Sequence, residues 1–260
     1  MLALLFLLPP AWWQSLTAMI MLVTSWELLR LAGFSFQQKL PASLLLLTTA
    51  LIIVMLLYLP RFWQQQLIHL ACFGWLLMLG LLVYVQSSTA AGGLSSAVKI
   101  LIASLFVLPT VIVVTTLQAH NPWLLLALLT LVWAADVGAY FVGRAVGGIR
   151  LASRISPNKT VAGLVGGMLG ATLVAVGWVW YLQLSDASLL IVSGLIIALM
   201  SVAGDLLASL LKRQARRKDS SSLLPGHGGL VDRLDSLMAA APFYALTVEL
   251  LLSPMLHSLS

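Results

Sequence analysis

Apolar positions in this chain come in long, leucine-rich runs broken by short polar segments, and they do not keep the period-two alternation of a half-buried strand. Runs of this length read as helices that cross a bilayer. In lipid each backbone N–H and C=O must find its partner inside the segment, which a helix achieves and an open strand does not. Windows of about 20 residues place helices near 12–32, 42–59, 67–86, 99–118, 122–143, 160–182, 188–211 and 236–253. The pattern predicts an all-α, polytopic transmembrane bundle of about eight spans with no soluble domain. Residues 1–130 form its N-terminal helices, about four of them, and 131–260 form the part that carries chemistry. Met1 to Leu8 is apolar but too short to cross. It lacks a basic leader and runs into Pro9-Pro10, so it does not read as a cleaved signal peptide and leaves a further span open.

Composition agrees with the pattern. Hydrophobic residues make up 61% of the chain and charged residues 8%, whereas a soluble domain carries about 25%. The few charges are also unevenly placed. With eight spans alternating, one side receives Arg30, Lys39, Lys99, Arg144, Arg150, Arg154, Lys159, Lys212, Arg213, Arg216, Arg217, Lys218 and Arg233. The other side receives only Arg61. That bias makes the loops 144–159 and 212–235 cytoplasmic. Orientation therefore explains most of the net charge of +6, no nucleic acid is needed, and anionic lipid headgroups are a natural partner. Cys72 stands alone and His69, His120 and His257 lie in unrelated segments, which excludes a disulfide framework and disfavours a Cys/His metal site.

Against this apolar background the intramembrane acids carry the functional signal, because a charge in lipid is costly. Asp136 lies seven residues before Gly143, and Asp205 seven before Lys212. At 1.5 Å per residue both sit roughly 10 Å below the cytoplasmic surface. Ser201, Asp205, Ser209 and Lys212 share one helical face, as do Asp136, Tyr140 and Gly143, and the last helix opens with Asp232, Asp235 and Ser236. Oxygen donors without His or Cys suit a hard cation such as Mg²⁺. The adjoining basic loops and the Gly226-His227-Gly228-Gly229 turn suit phosphate. Gly163, Gly166, Gly167 and Gly170 form spaced pairs that favour close helix packing within the bundle, with a homodimer contact as the lesser use.

These residues also resemble a known family. The run Ser209-Leu-Leu-Lys212-Arg213, Lys218-Asp219, then Leu224-Pro225-Gly226-His227-Gly228-Gly229-Leu230-Val231-Asp232-Arg233-Leu234-Asp235 is similar to the signature of the bacterial-type phosphatidate cytidylyltransferases, the CDP-diacylglycerol synthases. Trp133 to Arg144, Ser156-Pro157-Asn158-Lys159-Thr160 and Ala203-Gly204-Asp205-Leu206 resemble further family segments, with a weaker likeness at Trp26-Glu27. The resemblance implies transfer of CMP from CTP to phosphatidic acid, giving CDP-diacylglycerol and pyrophosphate in phospholipid biosynthesis. It implies a bacterial inner-membrane enzyme with Mg²⁺, and K⁺ as a second cation. By position it implies Asp205 and Asp232 as metal ligands, joined by Asp136. Lys212 and Arg233 would act with them in catalysis. Lys159, Ser209, Arg213, Lys218, Asp219, His227, Gly228, Gly229 and Asp235 would contact the phosphates of CTP or the lipid.

Three departures qualify the resemblance. Ala162 and Ala208 stand where the family often has polar or acidic residues, which would take polar groups from the site. The chain also starts inside the span that precedes the paired prolines in the family. Two alternatives stay open at this level: a CTP-dependent enzyme acting on another membrane lipid, and an inactive homologue. A transporter is disfavoured because the acids lie near one surface and no inverted repeat is visible.

Overall fold

The computed structural model describes residues 2–34, 39–88, 93–183, 187–223, 226 and 228–257. Among these the chain forms helices α1 (Leu2–Leu7), α2 (Pro10–Leu31), α3 (Lys39–Leu57), α4 (Arg61–Ser87), α5 (Ser96–His120) and α6 (Pro122–Val146). A hairpin of β1 (Arg150–Ala152) and β2 (Ser156–Thr160) follows, then α7 (Val161–Leu182), α8 (Ala187–Gln214) and α9 (Val231–His257). Helix starts follow the local chemistry. Pro10 and Pro122 occupy first turns, where a missing N–H costs nothing, and the side chains of Asn121 and Thr160 cap α6 and α7.

Each predicted span falls on a helix, α2 to α9, and the described residues contain no soluble domain. Six of these helices, α4 to α9, are long and apolar enough to cross a membrane, and α3 contributes the shorter apolar stretch Ser43–Leu57. The protein is an integral membrane protein built from helices. Two expectations need correction. The loop 144–159 is not plain loop: Gly147 and Gly148 turn the chain with positive φ, and the short antiparallel hairpin pairs Arg150 with Thr160 and Ala152 with Ser156. The last helix extends five residues before the predicted span start at 236, to Val231, and so opens with Asp232 and Asp235 in its first turns as their shared face implied.

Of the six long apolar helices α5 is the most buried, packed against α2 and α9, and α8 and α9 are the next most buried. The outer helices α6 and α7 meet along a glycine seam. A Cβ added at Gly167 would lie 2.8 Å from the Ala135 carbonyl oxygen, and one at Gly170 would lie 2.6 Å from that of Ala134. The stripe on α7 is therefore used inside the bundle, with its small residues letting two backbones touch.

The connections between α4 and α5, α6 and α7, and α8 and α9 gather at one end. Gln86 donates to Ser153 Oγ at 3.1 Å and accepts from the Arg154 N–H at 3.2 Å. Arg154 also reaches the Ser88 carbonyl, Arg213 donates from Nε to the Ile155 carbonyl, and Gln214 accepts from Leu94 N–H at 2.9 Å. Glu27, near the end of α2, joins the same end through the α8–α9 connection. Described residues of three of the loops that the charge bias assigned to one side thus meet at one end, together with Glu27 of α2. An aromatic group of Phe6, Trp123, Trp178 and Tyr181 marks the opposite end, as interfacial rings do in membrane proteins.

Candidate active site

A cavity of about 610 Å³ opens where α6, the hairpin, α8 and α9 converge at the loop-bearing end. Its wall holds Asp136, Tyr140 and Arg144 from α6 and Asn158, Lys159 and Thr160 from β2. Asp205 and Lys212 come from α8, and Asp232, Asp235 and Ser236 from α9. Four carboxylates and three cations thus face one space. The intramembrane acids that the pattern singled out, spread over 100 residues of chain, do converge.

The acids are not bare. Lys159 forms an ion pair with Asp205 Oδ2, and Ser209 donates its hydroxyl to Asp205 Oδ1 at 3.3 Å. Ser236 donates to Asp136 Oδ1 at 3.3 Å. Asp235 is buried, and its Oδ1 accepts from the Ser236 N–H at 2.7 Å. Lys212 Nζ donates to Asp232 Oδ1 at 2.6 Å. The other oxygen of Asp232 accepts from the N–H groups of Ser220 at 2.9 Å and Gly229 at 3.0 Å, and lies 2.9 Å from the Ser220 hydroxyl, whose one proton it shares with Glu27. An acid in the first turn of α9 is well placed for such bonds, since the helix N-terminus presents unpaired donors.

Two glycines make this tight geometry available. Gly228 has φ +78°, and a Cβ there would lie 2.7 Å from Asp232 Oδ2. A Cβ on Gly229 would overlap the Ser220 hydroxyl and lie 2.5 Å from both carboxylate oxygens of Glu27. One helix turn deeper, Gly204 lets α8 approach the Asp235 carbonyl and Ala239 of α9, and so brings Asp205 alongside the acids of α9.

The expected site residues separate into groups. Asp136, Lys159, Asp205, Lys212, Asp232 and Asp235 line the cavity, and Ser209 bonds to one of them. Gly228 and Gly229 act through backbone and close approach, outside the wall. Arg213, Lys218, Asp219 and Arg233 are exposed and do not line the cavity, and the side chain of Arg213 holds the hairpin through Ile155. His227 lies outside the described residues. Ala162 and Ala208 also stay off the wall: Ala208 is fully buried in the apolar core and Ala162 is half-buried at the start of α7.

Of the residues that the structure adds to the site, Glu27 carries only a weak family likeness in the sequence, and Ser220 and Arg144 carry no site signal there. Arg144 donates to the Tyr140 hydroxyl at 2.7 Å and sits 6.0 Å over its ring, on the cavity's α6 edge. Glu27 has 0% exposure, and an acid buried in an apolar span was the available signal. The donor chemistry of the cavity fits a hard cation, being oxygen without sulfur or imidazole. Among the described residues, no three His, Cys, Asp or Glu side chains already stand in ligand geometry. The ammonium groups of Lys159 and Lys212 balance the acids instead.

Comparison with known proteins gives this geometry a family. The profile of the cytidylyltransferase family matches residues 1–251. A Pseudomonas aeruginosa protein named phosphatidate cytidylyltransferase is 36% identical over 246 residues, which is 92% of this chain and 89% of the relative. Proteins of the same name from Haemophilus influenzae and Synechocystis are 44% identical over 131 residues and 47% over 133. Those two alignments span 48% and 49% of this chain but only 46% and 43% of the relatives. Matched along nearly its whole length by the family profile and by the Pseudomonas relative, the chain belongs to the cytidylyltransferase family and groups with its phosphatidate cytidylyltransferases.

Proposed function

We propose that the cavity transfers CMP from CTP to phosphatidic acid, giving CDP-diacylglycerol and pyrophosphate. The observation that carries this reading is the meeting of acids and cations in one cavity whose α6 wall continues into an exposed apolar surface. On that helix Trp133, Val137 and Phe141 are exposed beside Asp136, Tyr140 and Arg144. A lipid can reach such a site sideways from the bilayer, and a nucleotide from the loop-bearing end. Arg144, at the junction, is placed to meet the lipid phosphate, while Lys159 and Lys212 lie deeper, where the triphosphate would sit.

A phosphatidate oxygen attacks the α-phosphorus of CTP. The bond from that phosphorus to the bridging oxygen breaks, and pyrophosphate carries the electron pair away. Phosphatidate is already anionic near neutral pH, so the residues need only position the reactants and neutralise charge. The wall by itself carries one more acid than base, and a triphosphate adds further negative charge. Mg²⁺ held by Asp136, Asp205 and Asp232, with K⁺ on neighbouring oxygens, would supply the missing positive charge. With a cation held there, Lys159 and Lys212 would no longer be needed to balance Asp205 and Asp232 and would be available to phosphate.

The reading includes eight spans, α2 to α9, with the loop-bearing end in the cytoplasm of a bacterial inner membrane. The charge bias supports that orientation. The described cavity wall comes from one chain, and a homodimer contact elsewhere on the bundle is compatible with this reading. The names of the relatives do not favour a different lipid acceptor. Asp205→Asn and Asp136→Asn are expected to abolish CDP-diacylglycerol formation while the protein still inserts and elutes as a folded species. Full turnover in both variants would remove these acids from the reaction.

A further inference from the structure

Glu27 lies on α2, outside the cavity and far in sequence from every residue that lines it. Yet it is wholly buried, and both its oxygens are fully engaged. Oε1 accepts from the Ser221 hydroxyl at 2.6 Å and the Leu230 N–H at 3.1 Å. Oε2 accepts from the Ser220 hydroxyl at 2.8 Å and the Val231 N–H at 2.9 Å. A buried carboxylate is costly unless donors surround it. Here the donors are two hydroxyls and the free N–H groups at the start of α9, whose dipole also favours a negative charge.

The contact with Ser220 links Glu27 to the cavity. That hydroxyl lies 2.8 Å from Glu27 Oε2 and 2.9 Å from Asp232 Oδ2, so its single proton is shared between two carboxylates, while the Ser220 N–H keeps its own bond to Asp232. Asp232 in turn presents its other oxygen to Lys212. Gly229 exists in this arrangement to let the turn pass between them, since a Cβ there would lie 2.5 Å from both Glu27 oxygens. A residue needed only to fill the core would be apolar at this depth. A carboxylate here instead sets the position of the α9 N-terminus and the rotamer of Asp232.

We infer that Glu27 is a positioning residue for the transfer reaction: acting through Ser220 and the N–H groups of Leu230 and Val231, it fixes the first turn of α9 so that Asp232 Oδ1 points into the cavity. The inference rests on the proposed reaction, but part of its test does not. Misplacing a reacting group by about 1 Å costs about 100-fold in rate, and loss of one hydrogen bond costs about 5- to 10-fold.

Full-length protein in detergent would be compared as wild type, E27Q, S220A and the double variant, by steady-state kinetics and by amide hydrogen exchange over 228–233. E27Q is expected to lower kcat about 100-fold with KM for phosphatidate little changed, and to speed exchange at Leu230 and Val231. S220A leaves the bonds from Glu27 to those two N–H groups in place. It is therefore expected to lower kcat about 5- to 10-fold without faster exchange there, a separation that simple loss of folding would not give. Adding S220A to E27Q should cost little more, because both act on one link. Wild-type kcat in S220A, or additive losses in the double variant, would overturn the inference. So would unchanged exchange in E27Q, whatever lipid the wild type uses. Absence of turnover by the wild type itself would count against the proposed reaction, and the exchange result would then decide on Glu27 alone.

Discussion

Lys212 and Asp232 form a short ion pair in which both partners are largely buried, 2.6 Å apart with side-chain exposures of 14% and 12%. At that distance the Coulomb attraction is about 6 kcal/mol for an effective dielectric of about 20. Desolvation of the two ions removes several kcal/mol of this gain. The net value of the pair is therefore small, but the cost of breaking it one-sidedly is not, at about 3–5 kcal/mol. Asp232→Asn illustrates why. One face of the carboxylate meets the Lys212 ammonium and the other meets the N–H groups of Ser220 and Gly229 and the shared Ser220 hydroxyl. Whichever way the amide turns, its NH₂ confronts a donor. Lys212→Met leaves Asp232 charged without its partner. In the double variant the amide can turn its oxygen to Ser220 and Gly229 and its NH₂ to the methionine side. Each single change should thus cost about 3–5 kcal/mol and the double no more than either single, a coupling of about 3 kcal/mol. Reversible unfolding of the purified variants in mixed micelles, by denaturing detergent titration, measures it. Additive losses would show that the pair is not a unit and that this geometry is wrong.

Other consequences follow from particular contacts. Gly229→Ala forces a methyl group against Ser220 and Glu27 and should destabilise the protein by about 1–3 kcal/mol, read in the same titration; a neutral effect would contradict the packing of the α9 entry turn. Gly167→Leu should separate α6 from α7 and lower stability by more than about 2 kcal/mol in dilute, monodisperse protein, whereas an effect confined to oligomeric state would move the glycine seam to an outer surface. Arg213→Met should act through the hairpin that Arg213 holds at Ile155, exposing 150–160 to proteolysis, with a modest rise in KM for CTP caused by the looser Lys159. Protection identical to wild type together with a large loss of CTP affinity would instead return Arg213 to direct phosphate contact.

The helical bundle was legible because lipid imposes one rule on every span, and length and hydropathy read that rule directly. The three intramembrane or rim acids were legible for a related reason: Asp136, Asp205 and Asp232 stand out where charge is expensive. What the pattern did not contain was direction. Arg213 and Lys212 are adjacent in sequence, yet one secures the hairpin and the other meets Asp232, a difference of about 100° around the helix. The hairpin escaped notice because three residues of β1 and five of β2 carry too little periodicity to register. Glu27 was noted only as a faint likeness. Its partners lie 193 to 204 residues away in the chain, and only the folded bundle brings them together. Ala162 and Ala208 are themselves off the cavity wall.

The most direct test of the central claim is the fate of each phosphate of CTP. Purified protein would be given phosphatidic acid in mixed micelles, Mg²⁺, and CTP labelled in either the α- or the γ-phosphate. Transfer of CMP places α-label in an organic-soluble product that co-migrates with CDP-diacylglycerol and leaves γ-label in pyrophosphate. γ-Label in the lipid, or α-label transferred to other lipids but not to phosphatidate, would contradict it.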